Sequence, residues 1–327
     1  MSISSSPPLL VTSFIIFVLS IDHHSHLSNG LRQGYYDSTC PNAESIVREV
    51  VENAISSQPA TAGRLLRLHF HDCFIDGCDG SVLIDHSDGT VERDARGHAG
   101  LEGFDVVDRA KDELERQCPE VVSCSDIVAL MARDSIVLSG GPDYSVETGR
   151  KDGLVSNVED ADDMVEPDDS VDLLTKKFSL RGLSLKDMVV LNAAHTIGTS
   201  ACFFITERLY GEGRPDSAIN PEFVPVLESK CIEGGDNFVR FPLDEGSEME
   251  FDDHFLTNVR DGFTVIRSDA AMYEDRATKS VIDGYIATGK DSFMKDFVDA
   301  IVRMGRIGVI TDGRDGEIRR TCSSFNN

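Results

Sequence analysis

Residues 66–82, LRLHFHDCFIDGCDGSV, put one arginine, two histidines, three aspartates and two cysteines into seventeen positions. Groups that move protons, stabilise anions and bind metals are rarely so dense by chance, so the question is which of them share a face. Leu66, Leu68 and Phe70 alternate with Arg67, His69 and His71, the pattern of a half-buried strand. A strand would place His69 and His71 side by side as metal ligands, the beginning of a zinc hydrolase. On a helix, residues two apart diverge by about 200°, whereas residues four apart stand one turn apart on one face. Arg67 then joins His71, a cation beside a base, and His69 points away. Ala60, Ala62 and Leu65 extend the apolar run beyond ordinary strand length, which favours the helix and leaves the strand as the competing reading. A second histidine, His195, closes an apolar stretch; such a residue is either a satisfied core imidazole or a ligand.

The elements that must position these groups read as helices. Asn42 can cap a helix with the face Ala43, Ile46, Val47, Val50, Val51, Ala54 and Ile55, which Pro59 ends. Phe104, Val107, Ala110 and Leu114 mark another helix. Residues 127–138 form a third, strongly apolar one, stopped by Gly140, Gly141 and Pro142. Ser184 with Asp187 resembles a capping box that opens a helix on which Met188, Leu191 and His195 share a face. Phe293, Phe297, Ala300, Ile301 and Met304 make one more amphipathic helix. Strand signals are few and there is no internal repeat, so the chain is expected to be mostly α.

The length of 327 residues suits one large domain or two joined lobes. Residues 9–21 are apolar apart from three hydroxyls, too short for an ordinary membrane span. They read as the core of a secretory signal peptide covering residues 1–30, despite the absence of Lys and Arg there; an uncleaved anchor is the competing reading. The remainder is expected to be soluble and exported. With 57 acidic against 31 basic residues the formal net charge is −26, which repels phosphate backbones and anionic lipid, so neither nucleic acid nor membrane is an expected partner. Residues 159–169 carry seven carboxylates, the usual mark of a solvated loop, with calcium or partner binding as the alternative. Eight cysteines behind a secretory leader imply disulfides rather than zinc, and the 105 possible pairings cannot be sorted by spacing. No Asn-x-Ser/Thr acceptor occurs.

Residues 66–82 resemble the distal signature of the class III secretory plant haem peroxidases. Three further segments match in the same order: CPEVVSCSDIVALMARDSIVLSGGP at 118–142, AAHTIG at 193–198 and GEIRRTC at 316–322. The similarity covers nearly the whole chain after about residue 31. It implies a mostly α haem-peroxidase fold with two helical lobes sandwiching haem b, the distal lobe over about 31–157 plus the C-terminal segment and the proximal lobe over about 158–290. It also implies the disulfides Cys40 to Cys118, Cys73 to Cys78, Cys124 to Cys322 and Cys202 to Cys231. By the resemblance His71 exchanges a proton with hydrogen peroxide, Arg67 stabilises the charge that develops, and Phe70 keeps the pocket dry. His195 is the implied iron ligand and Asp269 its hydrogen-bond partner, fixing the tautomer and strengthening the ligand. Two calcium ions are implied: a distal one on Asp72, Asp79 and Ser81 with the Ile75 and Gly77 carbonyls, and a proximal one on Thr196, Asp244, Ser247 and Asp252 with the Glu250 carbonyl.

Several positions depart from the family pattern. Where relatives carry an asparagine held by a glutamate, His98 falls near Glu92, once one deletion before Phe104 is allowed. Protonating His98 is expected to disorder His71, because a protonated imidazole donates and cannot accept. Val165 replaces a proline lining substrate access. Ala60 and Ala201 replace residues that contact the haem carboxylates, with Arg64 one turn after Ala60 as a substitute donor. Asn192 and Ala193 precede the proximal histidine in place of the usual pair. The expected activity is a secreted, extracellular monomer of the cell wall that oxidises phenolic or similar small aromatic reductants with hydrogen peroxide in two one-electron steps. The alternative is a haem-poor or non-catalytic binding protein on the same scaffold.

Overall fold

The computed structural model describes residues 30–211, 213–312 and 315–326. The apolar run 9–21, expected as a secretion signal, lies outside the described residues. Among the described residues the chain forms twelve α-helices and one small ladder. The first four are α1 (Ala43–Ser57), α2 (Thr61–Phe74), α3 (Phe104–Gln117) and α4 (Cys124–Leu138). After a loop come α5 (Val171–Leu180), α6 (Leu185–Asn192), α7 (Phe203–Tyr210) and α8 (Val224–Lys230), followed by α9 (His254–Asp261), α10 (Arg267–Glu274), α11 (Arg276–Thr288) and α12 (Lys290–Met304). Strands β1 (Thr199–Ala201) and β2 (Arg240–Pro242) pair antiparallel, with Ala201 opposite Arg240. Among the described residues no helix is long and apolar enough to cross a membrane.

The helical reading therefore holds from Leu66 to Phe74, where α2 ends and a loop follows, and the reason lies in packing. Leu65 and Leu68 on one side of α2 join a core built from α1, α3 and α4. Ala62, Leu66 and Phe74 on its other side join a second core with α5, α6 and the C-terminal helices. A helix buried on two sides cannot rotate, so the polar stripe through Arg64, Arg67 and His71 is fixed in direction. A third, smaller core of Ile205, Leu209, Phe223, Leu227 and Phe241 lies beside the ladder.

Helix ends follow their sequence signals with two exceptions. Ser184 and Asp187 form the reciprocal capping box expected of them, and Ser123 caps α4 by accepting from the Asp126 backbone. Asn42 occupies the first cap position of α1 but makes no side-chain capping bond. Its φ of −96° and ψ of 6° depart from the extended backbone that aims a cap oxygen at the helix. The second exception concerns His195. Helix α6 ends at Asn192, and Ala193–Thr196 continues as a 3-10 turn. Residues three apart eclipse in such a turn, so His195 lines up with Asn192 rather than sharing the face of Leu191.

The four disulfides join Cys40 to Cys118, Cys73 to Cys78, Cys124 to Cys322 and Cys202 to Cys231, leaving no free cysteine among the described residues.

Candidate active site

Helix α2 presents Arg67 and His71 together: the Arg67 Nε–H donates to His71 Nε2 at 3.1 Å. The Arg67 head is held from behind, its Nη1 donating to the Gly100 carbonyl at 2.9 Å and its Nη2 to that of Ala99 at 3.2 Å. His71 is buried, and its Nδ1 lies 2.8 Å from Nδ1 of His98. His98 Nε2 in turn contacts Glu92 Oε1 at 3.2 Å, both side chains wholly enclosed. The arginine end fixes the protons along two neutral rings, since arginine only donates and each ring then passes one proton on. Hence His98 Nε2–H faces Glu92, His71 Nδ1–H donates to His98, and His71 Nε2 keeps its lone pair. Burial, then the charges of Arg67 and His98, push the His71 imidazole well below its ordinary pKa, which keeps it neutral and able to take a proton. Burial and Arg240 push Arg67 down to about 10, Glu102 opposing, so it remains charged near neutrality. Phe70 stacks on Phe74 at 4.8 Å and meets the His71 ring edge-on at 5.8 Å, an apolar wall beside the base.

His69 takes no part in this group. Half a turn away, it packs against Cys73 Sγ at 3.6 Å and lines a cavity of about 20 Å³ with Tyr144, Arg150 and Gly305, room for roughly one water. The zinc reading that paired it with His71 fails on this geometry.

On the opposite segment, His195 Nδ1 lies 3.1 and 3.2 Å from the two oxygens of the fully buried Asp269. Asp269 sits in the first turn of α10, and the Phe255 ring closes against His195 at 5.8 Å. An acceptor at Nδ1 fixes the proton there and leaves the Nε2 lone pair, which meets no hydrogen-bond partner among the described residues. The ring is one-third exposed although Ala193 and Thr196 beside it are buried, so it opens onto a space the core does not fill. The segments carrying the two histidines touch at Gly63 and Gly198, where a Cβ on Gly63 would stand 2.5 Å from the Gly198 Cα; no other residue permits that approach. An imidazole with its Nε2 unpartnered and its Nδ1 braced by a buried carboxylate is the donor haem iron takes, so the residues present fit that group.

Two oxygen clusters flank the histidines. Asp72 Oδ1 accepts from Gly80 N at 2.7 Å and Asp79 Oδ1 from Ser81 N at 2.9 Å, while Asp72 Oδ2 and Ser81 Oγ are buried with no partner. Burial, with the charges of Asp79 and Glu92, holds the Asp72 carboxyl well above the usual range. Ile75 and Gly77 belong to the same loop, closed by the Cys73 to Cys78 bridge. In the second cluster Thr196 Oγ1 has Asp244 Oδ2 at 3.1 Å, the Glu250 carbonyl at 3.1 Å and Asp252 Oδ1 at 3.2 Å, and Ser247 Oγ donates to Asp252 at 2.5 Å. One hydroxyl has one proton to give, so these oxygens exceed the donors available. Among the described residues no group of three or more His, Cys, Asp or Glu side chains is arranged for a metal, so a cation here relies on hydroxyl and carbonyl oxygens as well.

Sequence reasoning missed His254 and Asn258, which hold Asp244 Oδ1 at 3.1 and 2.6 Å; their four-residue spacing on α9 was the available signal. Val165, expected at substrate access, is half-buried against the large core.

The family profile described as Peroxidase matches residues 47–288. Peroxidase 43 of Arabidopsis thaliana is 53% identical over 303 residues, covering 90% of this chain and 92% of its own length. Peroxidase 13 of the same plant is 49% identical over 322 residues, covering 97% and 100%, and Peroxidase N1 of Nicotiana tabacum is 44% identical over 318, covering 95% and 96%. Identity at this level, sustained through both histidine segments, shows that the chain belongs to the class III plant haem peroxidases.

Proposed function

We propose that this chain uses hydrogen peroxide to oxidise small aromatic, phenol-like reductants outside the cell, and that it works as a monomer. The observation that carries the reading is the neutral His71, whose Nε2 lone pair faces Arg67 at 3.1 Å while its Nδ1–H is anchored on His98 at 2.8 Å. Haem, when bound through His195, supplies the electrons that reduce the peroxide and recovers them singly from the reductant. His71 takes the proton from the first peroxide oxygen at Nε2 and returns it to the departing one, the exchange of a positioned acid-base. Arg67, fixed by two carbonyls, stabilises the negative charge on the leaving oxygen. Asp269 keeps the His195 proton on Nδ1 and the ring oriented. Phe70 excludes water, and Val165 lines the approach for the reductant. In this reading the distal lobe is residues 31–157 with the C-terminal segment, the proximal lobe is 158–290, and residues 1–30 direct export. The non-catalytic scaffold is not favoured, because relatives at about half identity are themselves peroxidases. The deciding measurement is the Soret-to-protein absorbance ratio of secreted, calcium-replete protein, followed by peroxide. Retained haem whose band shifts on peroxide supports the enzyme; haem-free protein, or a band peroxide does not move, rules it out.

His98 makes the distal proton chain sensitive to acid. A protonated His98 donates from both nitrogens, so His71 Nδ1 would have to accept and its proton would move to Nε2, against the Arg67 Nε–H and no longer able to take one from peroxide. In His98→Asn an amide oxygen accepts from His71 and does not titrate. Wild type is therefore expected to lose its peroxide reaction at higher pH than His98→Asn as acidity increases. Coincident acid limbs would refute the relay.

Calcium is assigned to both oxygen clusters: Asp72, Asp79 and Ser81 with the Ile75 and Gly77 carbonyls, and Thr196, Asp244, Ser247 and Asp252 with the Glu250 carbonyl. Each ion neutralises carboxylates beside one histidine segment. An ion held at 100 times its dissociation constant stabilises the fold by about 2.7 kcal/mol. Chelation is expected to lower the melting temperature, with calcium but not magnesium restoring it; an unchanged melting curve would remove the ions from the account.

A further inference from the structure

In a chain with 57 acidic residues, two guanidiniums share one carboxylate at the rim between α2 and the β-ladder, and a third, that of Arg67, is close enough to feel both charges. Arg64 Nε lies 2.5 Å from Glu102 Oε2, and Arg240 Nη1 lies 4.0 Å from Glu102 Oε1. Arg67 is tied to the Gly100 and Ala99 carbonyls, two and three residues before Glu102. Arg64 also donates to Gln58 Oε1 at 3.2 Å, and Arg240 to Thr199 Oγ1 at 2.9 Å, so both heads are aimed rather than free in solvent. Their side chains are only 23% and 35% exposed. Like charges gathered this closely repel, and one carboxylate cannot balance three cations. The cluster is short of negative charge in a protein that elsewhere has it in excess.

Its place in the fold says what brings that charge. Arg64 stands one turn before Arg67 on the distal helix, and Arg240 lies opposite Ala201, six residues beyond His195. The cluster thus bridges the element that carries His71 and the one that follows His195. A flat haem entering between those segments has one edge with two carboxylates, and this is the cationic rim available to it. The methyl groups of Ala60 and Ala201 contribute no donor there, which leaves the work to the two arginines.

We propose that Arg64 and Arg240 form the cradle for the two haem carboxylates, and that Glu102 holds both guanidiniums in position until the haem arrives. This rests on the haem-binding reading above. The bonds expected are charge-assisted and worth on the order of tenfold in affinity each.

The test follows transfer of haem from the secreted holoenzyme to excess apomyoglobin, read by the Soret band without turnover, for wild type, Arg64→Gln, Arg240→Gln and the double variant. Each is also loaded with the dimethyl ester of haem, which has no carboxylate charge. The expected result is haem loss faster by about tenfold in each single variant and about 100-fold in the double, with loss of the ester unchanged between variants and wild type. Equal acceleration for haem and ester would mean the arginines only support the fold, and no acceleration would mean they do not meet the haem; either overturns the proposal. If the variants keep haem but bind a carboxylated phenol more weakly than its methyl ester, the cluster is a reductant site and the haem assignment falls. Wild type that holds neither haem nor ester would instead overturn the peroxidase reading.

Discussion

Replacing His71 by alanine is expected to slow the bimolecular reaction with hydrogen peroxide by about 10²- to 10⁴-fold, the usual contribution of a positioned acid-base. Peroxide at neutral pH holds both protons, and attack requires that one leave the oxygen that bonds and reach the oxygen that departs. In the proposed mechanism His71 Nε2 makes that exchange: it is neutral through burial, with Arg67 at 3.1 Å to stabilise the oxygen that leaves. Arg67 cannot substitute, because it has no lone pair to accept a proton. The loss should appear in the stopped-flow rate with peroxide and leave haem content unaltered, since the proposed iron ligand His195, with Asp269 at its Nδ1, lies on the other segment. A decrease of less than tenfold with haem retained would remove His71 from the proton exchange.

Removing the Cys124 to Cys322 bridge, as the double serine variant, is expected to cost about 5 kcal/mol of unfolding free energy, because its loop of 198 residues is the longest of the four. That is comparable with the whole stability of an ordinary domain. Removing Cys202 to Cys231, which closes 29 residues, should cost about 3.5 kcal/mol by the same arithmetic. The long bridge also has a local task. It pins the C-terminal segment from which the fully buried Arg319 donates to the Gly80 carbonyl at 2.6 Å and the Gly153 carbonyl at 2.7 Å. Asp152 completes the knot, accepting from the backbones of Cys124, Ser125 and Arg319 at 3.1, 2.9 and 3.0 Å. Gly80 donates to Asp72, one residue beyond His71, so releasing the terminus should loosen the distal loop as well. Urea unfolding in saturating calcium measures both variants. The reverse order of destabilisation would show that native contacts, rather than loop length, set the cost.

The two sides of the site were unequally legible. Arg67 and His71 are four residues apart on one helix, and helical geometry alone brings them together once the strand is excluded. The strand was excluded only by α2 lying between two cores, a fact about neighbours distant in the chain. His98 required an alignment with one deletion to be noticed, and its orientation depends on Glu92 meeting it across a pair of short 3-10 turns. The spacing alone puts His195 on the face of a continuous helix, whereas the chain tightens into a 3-10 turn after Asn192 and the ring meets Asp269, 74 residues further on.

What the sequence determined by itself is therefore local: the helical periods, the capping box at Ser184 and the acidic composition. Each of these follows from residues within a turn or two of one another, or from composition. Only the tertiary structure decided which nitrogen of each histidine carries its proton, how Arg64 and Arg240 come to share Glu102, and why Gly63 must lack a side chain. Those outcomes depend on hydrogen-bond directions and contact distances between segments far apart in the chain, and periodicity and composition hold no record of them.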